Sequence, residues 1–320
     1  DHQTLAAGKP RVSSTVGYPN VVYQCINRIT DSICTRSLDG GISWSPGAPV
    51  FLGYDATRAS PSFEGALDGL CGGLHGHVVA APDGTVYLPS SDCSVRQSPP
   101  LVSVTQDDGL TWTTHVISKD HPTDSHEVGI AVDEAGNVYA NWISDGRMLL
   151  AHSTDAGKTW SAPIDVTAPG VTATAFNAVA AGAPGRVALA YVGTTIEGGY
   201  ARGMAADDWK GATWNAYLAV LPDALAAQPV IQSVTANDPA DPVARGVCGR
   251  TRCSGMTDFI ELVVDAQGRP WASFVDVCTG GCAKAGGEKN EGNEGFVATL
   301  RAGPALRGDL VALPLLPAAP

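Results

Sequence analysis

The sequence predicts an all-β fold, a β-propeller of four-stranded antiparallel blades, on three observations. A turn motif of the form S/T-x-D-x-G-x-S/T-W recurs along the first half of the chain. A second repeat, two short strands about a glycine turn, runs in step with it. Apolar residues alternate in short runs and do not recur at a 3.6-residue period, which leaves little room for helix. Repeats at this spacing mean stacked supersecondary units, each unable to bury its own face alone.

The turn motif stands at residues 37–44 (Ser-Leu-Asp-Gly-Gly-Ile-Ser-Trp), 105–112 (Thr-Gln-Asp-Asp-Gly-Leu-Thr-Trp) and 153–160 (Ser-Thr-Asp-Ala-Gly-Lys-Thr-Trp). A worn copy, stretched by two residues, is expected at 205–214. Asp tolerates turn geometry, and its carboxylate accepts hydrogen bonds from backbone N–H groups one or two residues on. Gly two residues later supplies the positive φ that closes the turn. Ser or Thr opens and closes the unit as a strand former whose hydroxyl also bonds the turn backbone. Trp is expected to bury its ring beneath the loop and pin it. Asp39, Asp107 and Asp155 are therefore read as structural turn residues, with catalysis or calcium binding as the alternative.

The second repeat supplies the rest of each unit. Hairpins are expected at residues 80–88, 131–140, 180–189 and 263–272. A third strand, the turn motif and a fourth strand complete a four-stranded antiparallel blade. In order, the blades span about 1–53, 54–118, 119–167, 168–221 and 256–313. The first opens with Leu5-Ala6-Ala7 and continues with Val21-Val22-Tyr23-Gln24. The second carries a Gly-rich insertion at 54–74, and the third is the most regular. The fourth holds the worn motif. The fifth has no motif, with Phe296-Val297-Ala298-Thr299-Leu300 as third strand and Leu310-Val311-Ala312-Leu313 as fourth. Residues 222–255 are read as an inserted loop. One domain over 1–320 with five blades follows, because blades bury their faces against each other and need ring closure. Six blades is the alternative, if residues 222–255 hold one or an N-terminal part lies outside the chain.

At 320 residues, with 37 Gly and 22 Pro, the chain has the size and turn content of one large all-β domain. A formal net charge of −12 argues against nucleic acid and anionic membrane as partners, since both demand basic patches. No run of about 18 apolar residues predicts membrane insertion. Eight cysteines fall in close pairs: Cys25 with Cys34, Cys71 with Cys93, Cys248 with Cys253, Cys278 with Cys282. An even number in local pairs predicts four disulfides in a secreted or extracytoplasmic protein. Zinc is the alternative, but no C-x2-C pair joins a second one. The chain begins at Asp1 without Met and is expected to be a processed exported protein or a piece of a longer one.

In a propeller the inner strands line the central channel, so chemistry is sought where they begin. The inner strands align on the residues before their turns: Gly8, Pro82, Asp133, Gly182 and Asp265. Stepping back seven from each reaches Asp1, His75, His126, Ala175 and Asp258. Four of the five are His or Asp in a chain with seven His, and His2, His77, Glu127 and Asn177 stand nearby. Two imidazoles and two carboxylates on one axis form a ligand set for a divalent metal, either a transition metal or calcium with carbonyl help. The same groups suit general acid–base work, with Asp258, Glu127 and His126 as catalytic candidates. A third reading is a polar network that satisfies backbone N–H groups at the channel mouth. Glu64, Asp68 and Glu197, and the arginines Arg58, Arg96, Arg147 and Arg202 as carboxylate binders, are weaker candidates.

The turn motif resembles the Asp-box, or BNR repeat, of sialidases and several other β-propeller families. The resemblance implies a propeller with each box in the outer hairpin of a blade, away from the central site. An exo-sialidase would also need three arginines on the substrate carboxylate, an Asp acid–base and a Tyr–Glu nucleophile pair, on six blades. The nearest stretch to that family's Arg-Ile-Pro signature is Lys9-Pro10-Arg11-Val12-Ser13, which differs in order and context, so no catalytic residue carries over. The chain is also similar to exported bacterial proteins that bear Asp-boxes without the sialidase site, through Asp258-Phe259 after the Cys248 to Cys253 loop. The expected function is a secreted module that binds or assembles with glycan or another extracellular protein. The alternative is a glycoside hydrolase or metal-dependent hydrolase working at the axial His/Asp residues.

Overall fold

The computed structural model describes residues 3–28, 32–51, 75–90, 99–124, 127–196, 211–246, 260–284, 290, 292–308 and 312–316. Every regular element among them is a β-strand. The first sheet runs β1 (Gln3–Gly8), β2 (Val21–Asn27), β3 (Ser32–Ser37), β4 (Ala48–Pro49). The second runs β5 (Val79–Ala80), β6 (Val86–Ser90), β7 (Leu101–Thr105), β8 (Thr113–Val116). The third runs β9 (Gly129–Val132), β10 (Val138–Ser144), β11 (Arg147–Ser153), β12 (Ile164–Asp165). The fourth runs β13 (Ala173–Ala181), β14 (Val187–Thr194), β15 (Thr213–Leu221), β16 (Gln232–Thr235), with β17 (Ala244–Arg245) also paired to β15. The fifth has three strands, β18 (Glu261–Val264), β19 (Pro270–Asp276) and β20 (Glu294–Thr299).

Cα packing divides the chain into two compact units. The first comprises Asp1–Thr123, Glu127–Trp142 and Ala151–Pro163; the second comprises Asp124–His126, Ile143–Leu150 and Ile164–Pro320. In the first unit, β2 alternates as a strand with one buried face should, with Val21, Tyr23 and Cys25 inward. These residues join Val86, Leu88 and Leu101 of the second sheet, and Val78 just before it, in one core. Gly8 permits the approach, since a Cβ there would come within 2.8 Å of the Ala80 Cβ. In the second unit, Trp214, Leu218, Phe274 and their neighbours from the fourth and fifth sheets form the core. Tyr191 stacks on Tyr217 and Phe274 on Phe296, each pair with ring centroids 5.4 Å apart. Each such buried side chain contributes about 1.5–3 kcal/mol. The second strands β6, β10 and β14 are buried along their whole length, as near-continuous apolar runs covered on both faces are.

The connection from β1 to β2 acts as a strap. The carboxylate of Asp108 accepts the backbone N–H groups of Arg11, Val12 and Ser13 at 2.8, 2.9 and 2.6 Å. The Arg11 guanidinium donates to the Asp83 carboxylate at 2.5 Å and to Gln106 O at 3.0 Å. Asp108 has φ 59° and no exposed surface. Its three charge-assisted bonds oppose both the backbone strain and the burial.

Four expectations change. Residues 222–255 are not merely a loop: they carry β16 and β17, so the fourth sheet finds its fourth strand there. The worn box at 205–214 fails where it is described, because Trp214 lies on β15, the third strand, whereas each true box follows a third strand. Ala312 of the expected fifth-sheet strand bridges Pro304, away from β20. Finally, the hairpin-closing N–H groups belong to Ala81, Asp133, Gly182 and Asp265. Pro82 has no N–H to make that bond, so alignment on it is one residue late. The residue seven before Ala81 is Leu74, not His75. Gly8 pairs with Val21 as Ala80 pairs with Val86, so Lys9 is the first-sheet counterpart and the same step reaches His2. A bulge at Phe176, with φ 52°, offsets β13 as well.

Candidate functional site

The three boxes share one bonding pattern. Asp39 accepts Ser43 N–H at 2.9 Å, Ser43 Oγ–H at 2.6 Å and Ser37 Oγ–H at 2.7 Å. Asp107 does the same with Thr111 (2.9 and 2.6 Å) and Thr105 (2.8 Å). Asp155 repeats it with Thr159 (2.9 and 2.6 Å) and Ser153 (2.8 Å). The opening hydroxyl in turn accepts the box glycine N–H, at 2.8 Å for Gly41 and 2.9 Å for Gly109 and Gly157. The carboxylate thus reaches a donor four residues on, rather than one or two. These bonds, led by the Ser43 and Thr159 hydroxyls, pull the Asp39 and Asp155 carboxyls down to about 2. Burial pushes Asp107 up, but the Thr111 and Thr105 bonds outweigh it and leave a net lowering. Trp112 packs against the core of the first unit as expected, but the other two rings fold back on their own turns. Trp44 is 40% exposed, and the Nε1–H groups of Trp44 and Trp160 donate back to Gly41 O and Gly157 O.

Of the axial set, Asp1, His126 and Asp258 lie outside the described residues, as do Cys71, Cys93, Cys248 and Cys253. So do Arg58, Arg96, Arg202, Glu64, Asp68 and Glu197. His75 is fully buried and bridges Ser90. Its Nδ1 lies 2.9 Å from Gly76 O, which only accepts, so Nδ1 carries the proton and the neutral ring keeps its lone pair on Nε2. Burial pulls its pKa below the usual imidazole value. Glu127 is half-buried. Arg147 is committed to Asp165 at 2.8 Å and to Val171 O. Among the described residues no group of three or more His, Cys, Asp or Glu is placed to hold a metal ion. Cys25–Cys34 and Cys278–Cys282 are disulfides.

The first unit holds an open cleft of about 510 Å³ that the sequence did not single out. Three turns wall it: Pro82 and Asp83 from the β5–β6 hairpin, Glu134 to Gly136 from the β9–β10 hairpin, and Thr154 to Ala156 from the third box. Tyr87 completes the lining from β6. The walls are rigid for local reasons. Asp133 ties its own turn by accepting Ala135 N–H at 2.9 Å, Asn137 N–H at 3.0 Å and Tyr139 Oη–H at 2.7 Å. Burial pushes the Asp83 carboxyl up, but bonds from Thr85 and Arg11 hold it below the usual range. Burial, then the Asp83 and Asp155 charges, raise the Tyr87 phenol and keep it protonated. Glu134 is exposed. The cleft therefore offers the exposed Glu134 carboxylate, a threonine hydroxyl and backbone groups on three fixed turns. Its hairpin residues lie in the turns of 80–88 and 131–140, which the search for axial residues passed over.

Antiparallel sheets whose third and fourth strands are joined, in the first three, by Asp-box turns define an Asp-box β-propeller protein. The BNR repeat-like domain family matches residues 15–195, more than half of the chain, and the chain belongs to it. No curated protein matches the sequence. Among solved structures, it is similar to a polysaccharide lyase of family PL25, an ulvan lyase bound to a saccharide. That match has 11% identity over 92% of this chain and 71% of the other, with a TM-score of 0.50. A mutant of the NanB sialidase from Streptococcus pneumoniae is 13% identical over 77% of this chain and 32% of its own, with a TM-score of 0.46. The leech intramolecular trans-sialidase is 13% identical over 83% of this chain and 36% of its own, with a TM-score of 0.45. The chain thus spans about a third of the length of either sialidase. At these identities the likeness is one of fold.

Proposed function

We propose that the chain is a secreted saccharide-binding module whose binding surface is the cleft between the turns at 82–83, 134–136 and 154–156. The observation that carries this reading is the cleft's lining. A sugar presents several hydroxyl donors on a small ring, and an exposed carboxylate such as Glu134 accepts two of them at once. Thr154 and the turn backbone add further partners within the same 510 Å³. The acidic walls favour a neutral sugar face over a carboxylate at this cleft. The ulvan lyase supports a carbohydrate ligand by its bound saccharide. Two disulfides support secretion. Five sheets in chain order support five blades in a single domain over 1–320.

A glycan microarray with the intact chain tests the reading. Retention of one or more neutral saccharides is the expected result, without turnover of chromogenic glycosides. Silence across the array, with capture of an extracellular protein instead, would overturn it.

A second reading is a metal-dependent hydrolase at Asp1, His75, His126 and Asp258, supported by the His75 tautomer and not by strand register, which sets Asp1 and His75 one residue off the other two. A ring nitrogen held by a backbone carbonyl orients the other as a metal ligand. The bound metal would polarise a glycosidic or ester oxygen or activate a water. Elemental analysis separates the readings. Stoichiometric transition metal, lost in a His75→Ala/His126→Ala variant together with turnover, would favour the hydrolase.

A further inference from the structure

We infer that Arg307, with Arg186 beside it, forms a site in the second unit for an oxyanion, the sulfate ester or carboxylate of a substituted sugar. Arg307 lies on a turn that is locked from both sides. Leu306 N–H donates to Gly268 O and Ala183 N–H donates to Leu306 O, each at 2.7 Å. The turn presses so closely on Gly182 that a Cβ there would run into Leu306 O, with the Arg307 Cγ 2.9 Å away. Arg186 wraps the same turn, donating from one terminal nitrogen to Ala305 O at 3.0 Å and to Gly308 O at 3.1 Å. Two arginine side chains therefore belong to one rigid turn.

The other strapping arginines have their partners. Arg11 finds the Asp83 carboxylate, Arg269 the carbonyls of Leu300 and Pro314, and Arg301 the carbonyl of Leu316. Arg307 is different. Its Nε is buried without a hydrogen bond, and among the described residues its side chain makes no hydrogen bond or ion pair. Asp223, beside Gly185, is an acidic group near this turn, and no ion pair joins it to Arg307. A buried N–H left without a protein acceptor is satisfied by an ordered water or an ion, and the oxyanion is the partner inferred for it. A guanidinium receives sulfate or carboxylate through Nε–H and a terminal N–H in parallel, and its weak hydration favours that exchange. A saccharide as carrier rests on the function proposed above; the oxyanion site itself does not.

Nitrogen–proton correlation spectra of the intact chain test the site. The Arg307 Nε–H signal is assigned as the one missing from Arg307→Lys. Inorganic sulfate, glucose 6-sulfate, glucuronate and glucose are the probes. The expected result is a saturable shift of that signal with both charged sugars, none with glucose, and at least tenfold weaker binding in Arg307→Gln. Arg307→Lys, which keeps the charge, should retain part of the affinity. Absence of a saturable shift, or an equal response to glucose, would overturn the site. Binding of inorganic sulfate alone would keep the oxyanion site and remove the saccharide carrier. Should Arg307→Gln fail to fold, the wild-type titration and Arg186→Gln decide: unchanged affinity in Arg186→Gln would remove Arg186 from the site.

Discussion

Asp39, Asp107 and Asp155 commit both carboxylate oxygens to their own turns, which takes them out of chemistry. Replacing Asp155 by Ala leaves Thr159 N–H and two hydroxyls without their acceptor. The expected cost is about 1–2 kcal/mol, allowing for competition with water at an exposed turn, or a few degrees of melting temperature. The pH dependence has a definite sign. A carboxyl at about 2 in the folded chain and near 4 in the unfolded one contributes stability that is present above roughly pH 4 and is lost as pH falls toward 2. Thermal melts between pH 2 and 5 check this, and Asp155→Asn should lose stability less steeply there than wild type. Asp108 is a different kind of residue. Asp108→Ala frees three N–H groups of the strap, and limited proteolysis should then cut within residues 9–20, which wild type resists. The boxes were legible because one Asp and one Gly must sit at fixed offsets to close such a turn. Asp108 was not, because its partners lie 95–97 residues away and no local pattern records them.

Hairpins at 80–88, 131–140, 180–189 and 263–272 appear where alternation and a turn glycine place them. Each turn glycine (Gly84, Gly136, Gly185, Gly268) has positive φ. Strands β16 and β17 were hidden, being four and two residues long and set among Pro229, Pro239 and Pro242. Their pairing partner, β15, creates them through tertiary context. Trp214 anchors this element: it is 1% exposed, and its Nε1–H donates to Gly246 O at 2.9 Å. Trp214→Ala should destabilise the chain by about 3–5 kcal/mol, read by denaturant titration. Peptide mapping without reduction should find Cys71 joined to Cys93 and Cys248 to Cys253, alongside the two disulfides already placed. A free thiol at any of the four would contradict the extracytoplasmic reading.

Across the whole molecule, family and fold class were readable from repetition alone, since the boxes act as a ruler for the repeat. The site was less readable. An alignment that slips by one residue sends every step to the wrong side of a strand, because side chains alternate with a period of two. Pro82 and Gly8 caused that slip, and of the four axial residues only His75 is among those described. The cleft arose from turns that are 18 (136 to 154) to 71 (83 to 154) residues apart in sequence, so no single stretch announced it. Its acidic lining agrees with the net charge of −12, whereas the second unit carries the arginine turn. Calorimetric titration of the intact chain with the strongest saccharide from the array tests the cleft most directly. Glu134→Gln should bind it at least tenfold more weakly while melting at the wild-type temperature. Equal affinity in wild type and Glu134→Gln would place saccharide binding elsewhere and contradict the assignment.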